Sequence, residues 1–214
     1  MARRSAVITI VALLSTLLIS TTARAIEFTD QEMKNLAEGK TVRKPLPESS
    51  QNGFYGGAGF TLIDAPVDVV WKALSDWKAY PTIFPRTVEA TELSRKNNRS
   101  LIKIRIGYKV LNIEYHMDVI RNEEGKTITF NLDGNKPHDI DSTKGYWKLM
   151  PQADGRTLVA YAVAVKVPAG IVAFLGKSTE EALERNVIGL PKYLKKYVES
   201  SAGQRYGRMT AKTP

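Results

Sequence analysis

Apolar and polar side chains alternate through most of the second half of the chain. In LIKIRIGYKV, Ile102, Ile104, Ile106, Tyr108 and Val110 fall on one side and Lys103, Arg105 and Lys109 on the other. In IEYHMDVIR, Ile113, Tyr115, Met117 and Val119 oppose Glu114, His116 and Asp118. Ile128, Phe130 and Leu132 repeat the pattern, and Gly145, Trp147 and Leu149 repeat it again. A period of two describes strands with one dry and one wet face, as antiparallel sheets have. The turn signals KNNR, EEGK and QADGR separate the runs. RTLVAYAVAVKV, from Arg156 to Val167, is apolar at both parities, so periodicity does not orient it.

Helical spacing flanks this region. Val67, Val70, Trp71, Leu74 and Trp77 share one face of a helix opened by Pro66, with Asp64 just ahead. Pro81 and Pro85 interrupt the chain beyond it, leaving Tyr80, Ile83 and Phe84 to a short helix or turn. Upstream, FYGGAGFTLI reads as a first strand whose glycines let it bend. Downstream, Ser178 and Glu181 form a capping box. Leu183, Val187, Leu190, Leu194 and Tyr197 then mark one face of a long C-terminal helix, which Pro191 should bend. Near the start, TDQEMKNLAEG predicts a helix capped by Thr29 or Asp30, and KPLPESSQNG reads as a linker. The polar tail from Ala202 reads as loose.

The resulting order is β-α-α-β6-α. It resembles the START/Bet v 1-like superfamily, on residues that succeed one another in order. These are Ala65-Pro66-Val67-Asp68-Val69-Val70-Trp71, then Asp76-Trp77, Tyr80-Pro81 and Phe84-Pro85. GYWKLMP and DGRTLVAY add the paired late strands. The likeness is greatest to the polyketide cyclase/dehydrase and coenzyme-Q-binding branch. It implies an α+β helix-grip fold, a curved seven-stranded antiparallel sheet around the C-terminal helix, with an apolar cavity between them. The cavity residues implied are Ile102, Ile104, Ile106, Tyr108, Tyr115, Met117, Phe130, Trp147, Tyr161, Leu183, Val187, Leu190 and Leu194. On this reading the tryptophan-rich helices close one end of the sheet and do structural work only.

The N-terminus changes the picture of where this happens. Arg3 and Arg4, an apolar run from Ala6 to Ile19, and Ala23-Arg24-Ala25 have the order of a secretory signal cut after Ala25, with a retained N-terminal anchor as the rival reading. The expected organisation is a signal at 1–25, a helix and linker at 26–52, the ligand-binding domain at 53–201 and a tail at 202–214. The location is then periplasmic or secreted. The 214 residues carry a net charge of +9. Removing the leader takes away three arginines and no acid, leaving 28 basic against 22 acidic side chains, or +6. Export argues against nucleic acid as the partner of this excess; the alternatives are transient contact with anionic lipid and a merely soluble basic surface.

Candidate chemistry is sparse. There is no cysteine and there are two histidines, His116 on a polar strand face and His138 in a loop, both read as surface residues. No metal-ligand spacing is present, and neither metal nor cofactor is expected. Glu114, Asp118 and Arg105 alternate outward, away from any cavity. Among inward groups, a tyrosine hydroxyl can polarise a carbonyl, anchor a ligand, or simply be satisfied within a core. Ile171, Val172, Phe174 and Leu175 read either as a flap at the cavity mouth or as packing under the sheet rim. Lys177, Lys192, Lys195 and Lys196 are the lysines placed to meet lipid. The functional expectation is a carrier of a hydrophobic molecule such as a lipid, quinone or isoprenoid. The alternative is a cyclase or dehydratase working in the same cavity.

Overall fold

The computed structural model describes residues 27–45, 53–108, 111–171 and 188–210. Eight antiparallel strands form one curved sheet, in the spatial order β1-β2-β8-β7-β6-β5-β4-β3. They are β1 (Val42–Pro45), β2 (Phe54–Ile63), β3 (Thr87–Lys96), β4 (Arg99–Tyr108), β5 (Leu111–Asn122), β6 (Thr127–Leu132), β7 (Ser142–Pro151) and β8 (Thr157–Lys166). Seven are the expected strands. The eighth, β1, runs into the segment that composition marks as a linker, and pairs Val42 with Phe60 and Pro45 with Gly57. Four residues with one buried apolar side chain carry no readable period. Pro45 is tolerated because β1 lies at the sheet edge.

Helix α1 (Asp30–Ala37) begins with the capping box of Thr29 and Glu32. It lies on the outer face of β2 and β8, where Leu36, Val42, Ala58, Phe60, Ala160 and Ala162 form a second small core. This explains the unreadable β8. Tyr161 and Val163 face the inner core while Ala160 and Ala162 lie under α1, so both parities are apolar because both faces are covered.

Helix α2 (Val67–Ser75) comes after β2, with Pro66 at its N-cap. It buries Val69, Val70, Trp71, Ala73 and Leu74 against the inner sheet face. A 3₁₀ turn (Trp77–Ala79) and the short α3 (Tyr80–Ile83) complete the crossing to β3.

The described part of the C-terminal helix, α4 (Leu190–Val198), carries Pro191 in its first turn, where the missing N–H costs nothing. The interruption expected at Pro191 therefore lies at Gly189, the N-cap. α4 is tied to the sheet by Lys195, which donates to the Leu62 carbonyl (2.8 Å) and to Glu199 (2.6 Å). Glu199 in turn accepts the Asp64 N–H (2.8 Å).

The segment expected to be a loose tail contains a further helix, α5 (Gln204–Thr210). Tyr206 is buried, and its hydroxyl donates to the Asp76 carboxylate (2.7 Å), which Arg205 also reaches (3.0 Å). One tyrosine in a polar heptapeptide is too little signal to announce a docked helix.

Candidate functional site

A cavity of about 230 Å³ lies between the concave sheet face and the helices. Three strand pairs aim side chains into it at fixed register. Ile104 pairs with Tyr115, Trp147 with Tyr161, and Phe130 with Gly145. Gly145 has no side chain, and the Phe130 ring lies where its Cβ would be. Aromatic rings line much of the wall in one run. Trp77 and Tyr80 have centroids 4.9 Å apart, Tyr80 and Phe84 4.8 Å, Phe84 and Trp147 5.9 Å, Trp147 and Tyr161 4.1 Å, and Tyr161 and Phe130 6.2 Å. Trp77, Tyr80 and Phe84 come from the stretch expected to be purely structural. They bury apolar surface as expected, and they also form one wall of the cavity.

Few polar groups face this space. The Tyr80 hydroxyl is committed, donating to the Leu74 carbonyl (2.9 Å). Tyr115 and Tyr161 line the cavity, and neither hydroxyl has a hydrogen-bond partner among the described residues. Trp77 lines it with its ring, while its indole N–H is buried away from this space without an acceptor among them. Thr143 and, at the rim, Thr87 and Arg86 complete the set. Burial raises the Tyr161 phenol far above its ordinary value, with nearby Tyr115 adding to the effect. Burial alone pushes Tyr115 up to about 12. Both are therefore neutral donors at physiological pH.

An alkaline instability results. Below about pH 10 the phenol of Tyr115 is protonated in both folded and unfolded chains and adds no pH dependence. Between there and about 12 the unfolded chain loses a proton that folded Tyr115 keeps. Stability should then fall as pH rises, by about 1.4 kcal/mol per pH unit for this residue. Denaturant melts between about pH 9 and pH 12, read beside phenolate absorbance, would show the slope. Tyr115→Phe should lessen the slope by that amount, leaving the share of Tyr80, Tyr161 and Tyr206, whose phenols burial also raises, and an undiminished slope would mean Tyr115 is not held neutral.

Of the expected cavity residues, Ile104, Ile106, Tyr115, Met117, Phe130, Trp147, Tyr161 and Leu190 lie together on the wall. Ile102 and Leu194 do not; both are fully buried in the solid part of the core. Leu183 and Val187 lie outside the described residues, as does the side chain of Tyr108. So do the Ser178–Glu181 capping box, Lys177 and most of the expected flap, of which only Ile171 is described. Ile140, beyond the readable strands, reaches the cavity from the loop before β7. Thr143 shares its parity with Gly145 and Trp147, so alternation carries the signal for it.

His116 is a correction. It is buried rather than a surface residue, because the loop after β6 crosses the outer side of β5. Its Nδ1 lies 2.9 Å from the Pro137 carbonyl, and the N–H groups of Asp133 and Asp139 donate to the carbonyls of His116 and Glu114. His138 is exposed. Among the described residues no group of three or more histidine, cysteine or acidic side chains is gathered as a metal would require. Asp118 pairs with Arg99 and Arg105 with Glu89, and neither Asp118, Arg105 nor Glu114 lines the cavity. Lys195 is engaged with Leu62 and Glu199, while Lys192 and Lys196 are exposed.

A family model described as polyketide cyclase / dehydrase and lipid transport matches residues 63–188. Among solved structures, the Zhui aromatase/cyclase from Streptomyces sp. R1128 superposes with a TM-score of 0.57 at 18% identity, covering 70% of this chain and 98% of that one. A STAR-related lipid transfer protein from Xanthomonas axonopodis superposes with a TM-score of 0.58 at 16% identity, covering 75% and 93%. At these identities the likeness is one of fold. No curated protein matches significantly.

Proposed function

The chain belongs to the polyketide cyclase/dehydrase and lipid transport family, with the helix-grip fold of the START/Bet v 1-like superfamily, and from that premise we propose that it is an exported carrier of a hydrophobic small molecule. The observation that carries this reading is the cavity of about 230 Å³ walled by aromatic and aliphatic side chains. Its walls are largely apolar, so any water inside them is poorly satisfied, and a bound apolar guest removes that surface from water. Lipid, quinone and isoprenoid are the guests proposed; a long tail adds about 0.8 kcal/mol for each CH₂ removed from water.

The name of the Streptomyces structure brings the alternative of cyclase or dehydratase chemistry in the same cavity. The carrier reading is preferred because, among the described residues, no carboxylate or histidine lines the cavity to take a proton from a substrate. Export rests on the N-terminal leader, and contact with anionic lipid on the positive charge of the processed chain. The test is native mass spectrometry after gentle isolation from the producing cells, followed by displacement with a fluorescent apolar probe. A co-purifying apolar ligand and saturable probe uptake are expected. An empty protein that takes up no probe would overturn the reading, and a blot of fractionated cells tests export separately.

A further inference from the structure

We propose that the cavity selects among apolar guests by a hydrogen-bond acceptor, with the hydroxyls of Tyr115 and Tyr161 receiving a carbonyl or ether oxygen of a neutral one- or two-ring molecule. This rests on the carrier reading and narrows it.

Three facts of geometry support the assignment. The first is the hydrogen-bond inventory. Tyr161 is 5% exposed and Tyr115 partly buried, both side chains line the cavity, and neither hydroxyl has a partner among the described residues. A donor that a bound guest cuts off from water and leaves unpaired costs about 1–3 kcal/mol, and here two such hydroxyls belong to side chains that line one space. The second is the sign of that inventory. A phenol donates better than it accepts, because its lone pair is shared with the ring. The hydroxyl of Thr143 is the remaining interior group. The third is size and shape. A cavity of about 150 Å³ admits a benzene, so about 230 Å³ takes one or two fused rings, or the head of a longer molecule. The walls are ring faces: Trp147 against Tyr161 at 4.1 Å and Phe130 stacked on Tyr161 at 6.2 Å suit a flat guest. Burial keeps both phenols protonated, so the donors persist across the physiological range.

A pure hydrocarbon leaves these donors unpaired, and a carbonyl satisfies them. Ordered water is the rival occupant, since a water also accepts from such groups.

The experiment compares two probes of nearly the same shape, methyl naphthyl ketone and isopropenylnaphthalene, by quenching of tryptophan fluorescence. The wild-type protein is expected to hold the ketone about tenfold more tightly, the effect of one or two neutral hydrogen bonds. Tyr115→Phe and Tyr161→Phe should each reduce the ketone's affinity several-fold and leave the hydrocarbon's unchanged. The double variant should bind both probes equally. Each substitution removes only a hydroxyl without a partner, and near-ultraviolet circular dichroism verifies the fold. A second readout needs no variant: the infrared carbonyl stretch of the bound ketone should lie below its position in an alkane solvent. Equal affinity of the wild-type protein for both probes, or an unshifted stretch, overturns the inference while leaving the carrier reading standing. Failure to bind either probe overturns both.

Discussion

Gly59→Val is expected to destabilise the protein by about 3 kcal/mol and to loosen the C-terminal helix from the sheet. A Cβ at Gly59 would lie 2.3 Å from the Ile188 carbonyl oxygen and 3.3 Å from Ile188 Cγ2. That oxygen is backbone and cannot rotate aside as a side-chain tip can. Gly57, two residues earlier on the same face, is crowded in the same way by the Ile188 side chain at 2.6 Å and the Lys44 carbonyl at 2.9 Å. Together the two glycines make a groove in β2 into which the segment just before α4 settles. Overpacking a well-filled interior costs typically 1–3 kcal/mol, and occasionally more. A backbone clash belongs at the upper end. At about 2–4 °C per kcal/mol for a chain of this length, the melting temperature should fall by roughly 6–12 °C. Gly134→Val is the control, since nothing lies within 4 Å of a Cβ at that position. If Gly59→Val melts with the wild type, the helix does not sit on this strand as closely as described.

The glycines also show where the sequence is legible and where it is not. FYGGAGFTLI is readable as a strand in which glycine has a purpose, but the purpose it suggests is a bend. Close approach of a second element depends on Ile188, far along the chain, and no local pattern carries that information. The same division holds elsewhere. Ile104, Tyr115, Phe130 and Trp147 are readable as inward residues because a half-buried sheet imposes a period of two. Ile102 obeys that period and still misses the cavity, because periodicity says which face a side chain takes and not whether the space above it is filled. β8 loses its period because α1 covers the far side. His116 obeys its period yet is buried, because the loop carrying Pro137 crosses the face that alternation marks as wet. In each case the missing information is what lies on top of a face.

Met117→Trp is expected to remove ligand uptake, by about thirtyfold or more, while leaving the fold intact. Met117 projects from the inner face of β5, where its strand partners are Ile102 and Leu132, and it lines the cavity while remaining only partly buried. Its larger replacement therefore grows into open volume rather than into a packed wall. An indole occupies much of the room a one- or two-ring guest would take, so competition is steric. Filling a void is among the substitutions that commonly stabilise, and the melting temperature of the empty protein should hold or rise by a few degrees. The clearest readout is the stabilisation that ligand confers. A guest at about a hundred times its Kd adds about 2.7 kcal/mol to the wild-type protein, and that increment should vanish in the variant. Ile120→Trp supplies the comparison, because Ile120 is 41% exposed and does not line the cavity. Its uptake should match the wild type, so that a general effect of an added tryptophan is separated from occupation of the cavity. Retained uptake by Met117→Trp would place the ligand elsewhere. Joint loss of uptake and of several kcal/mol of stability would mean that the space beside Met117 is already filled.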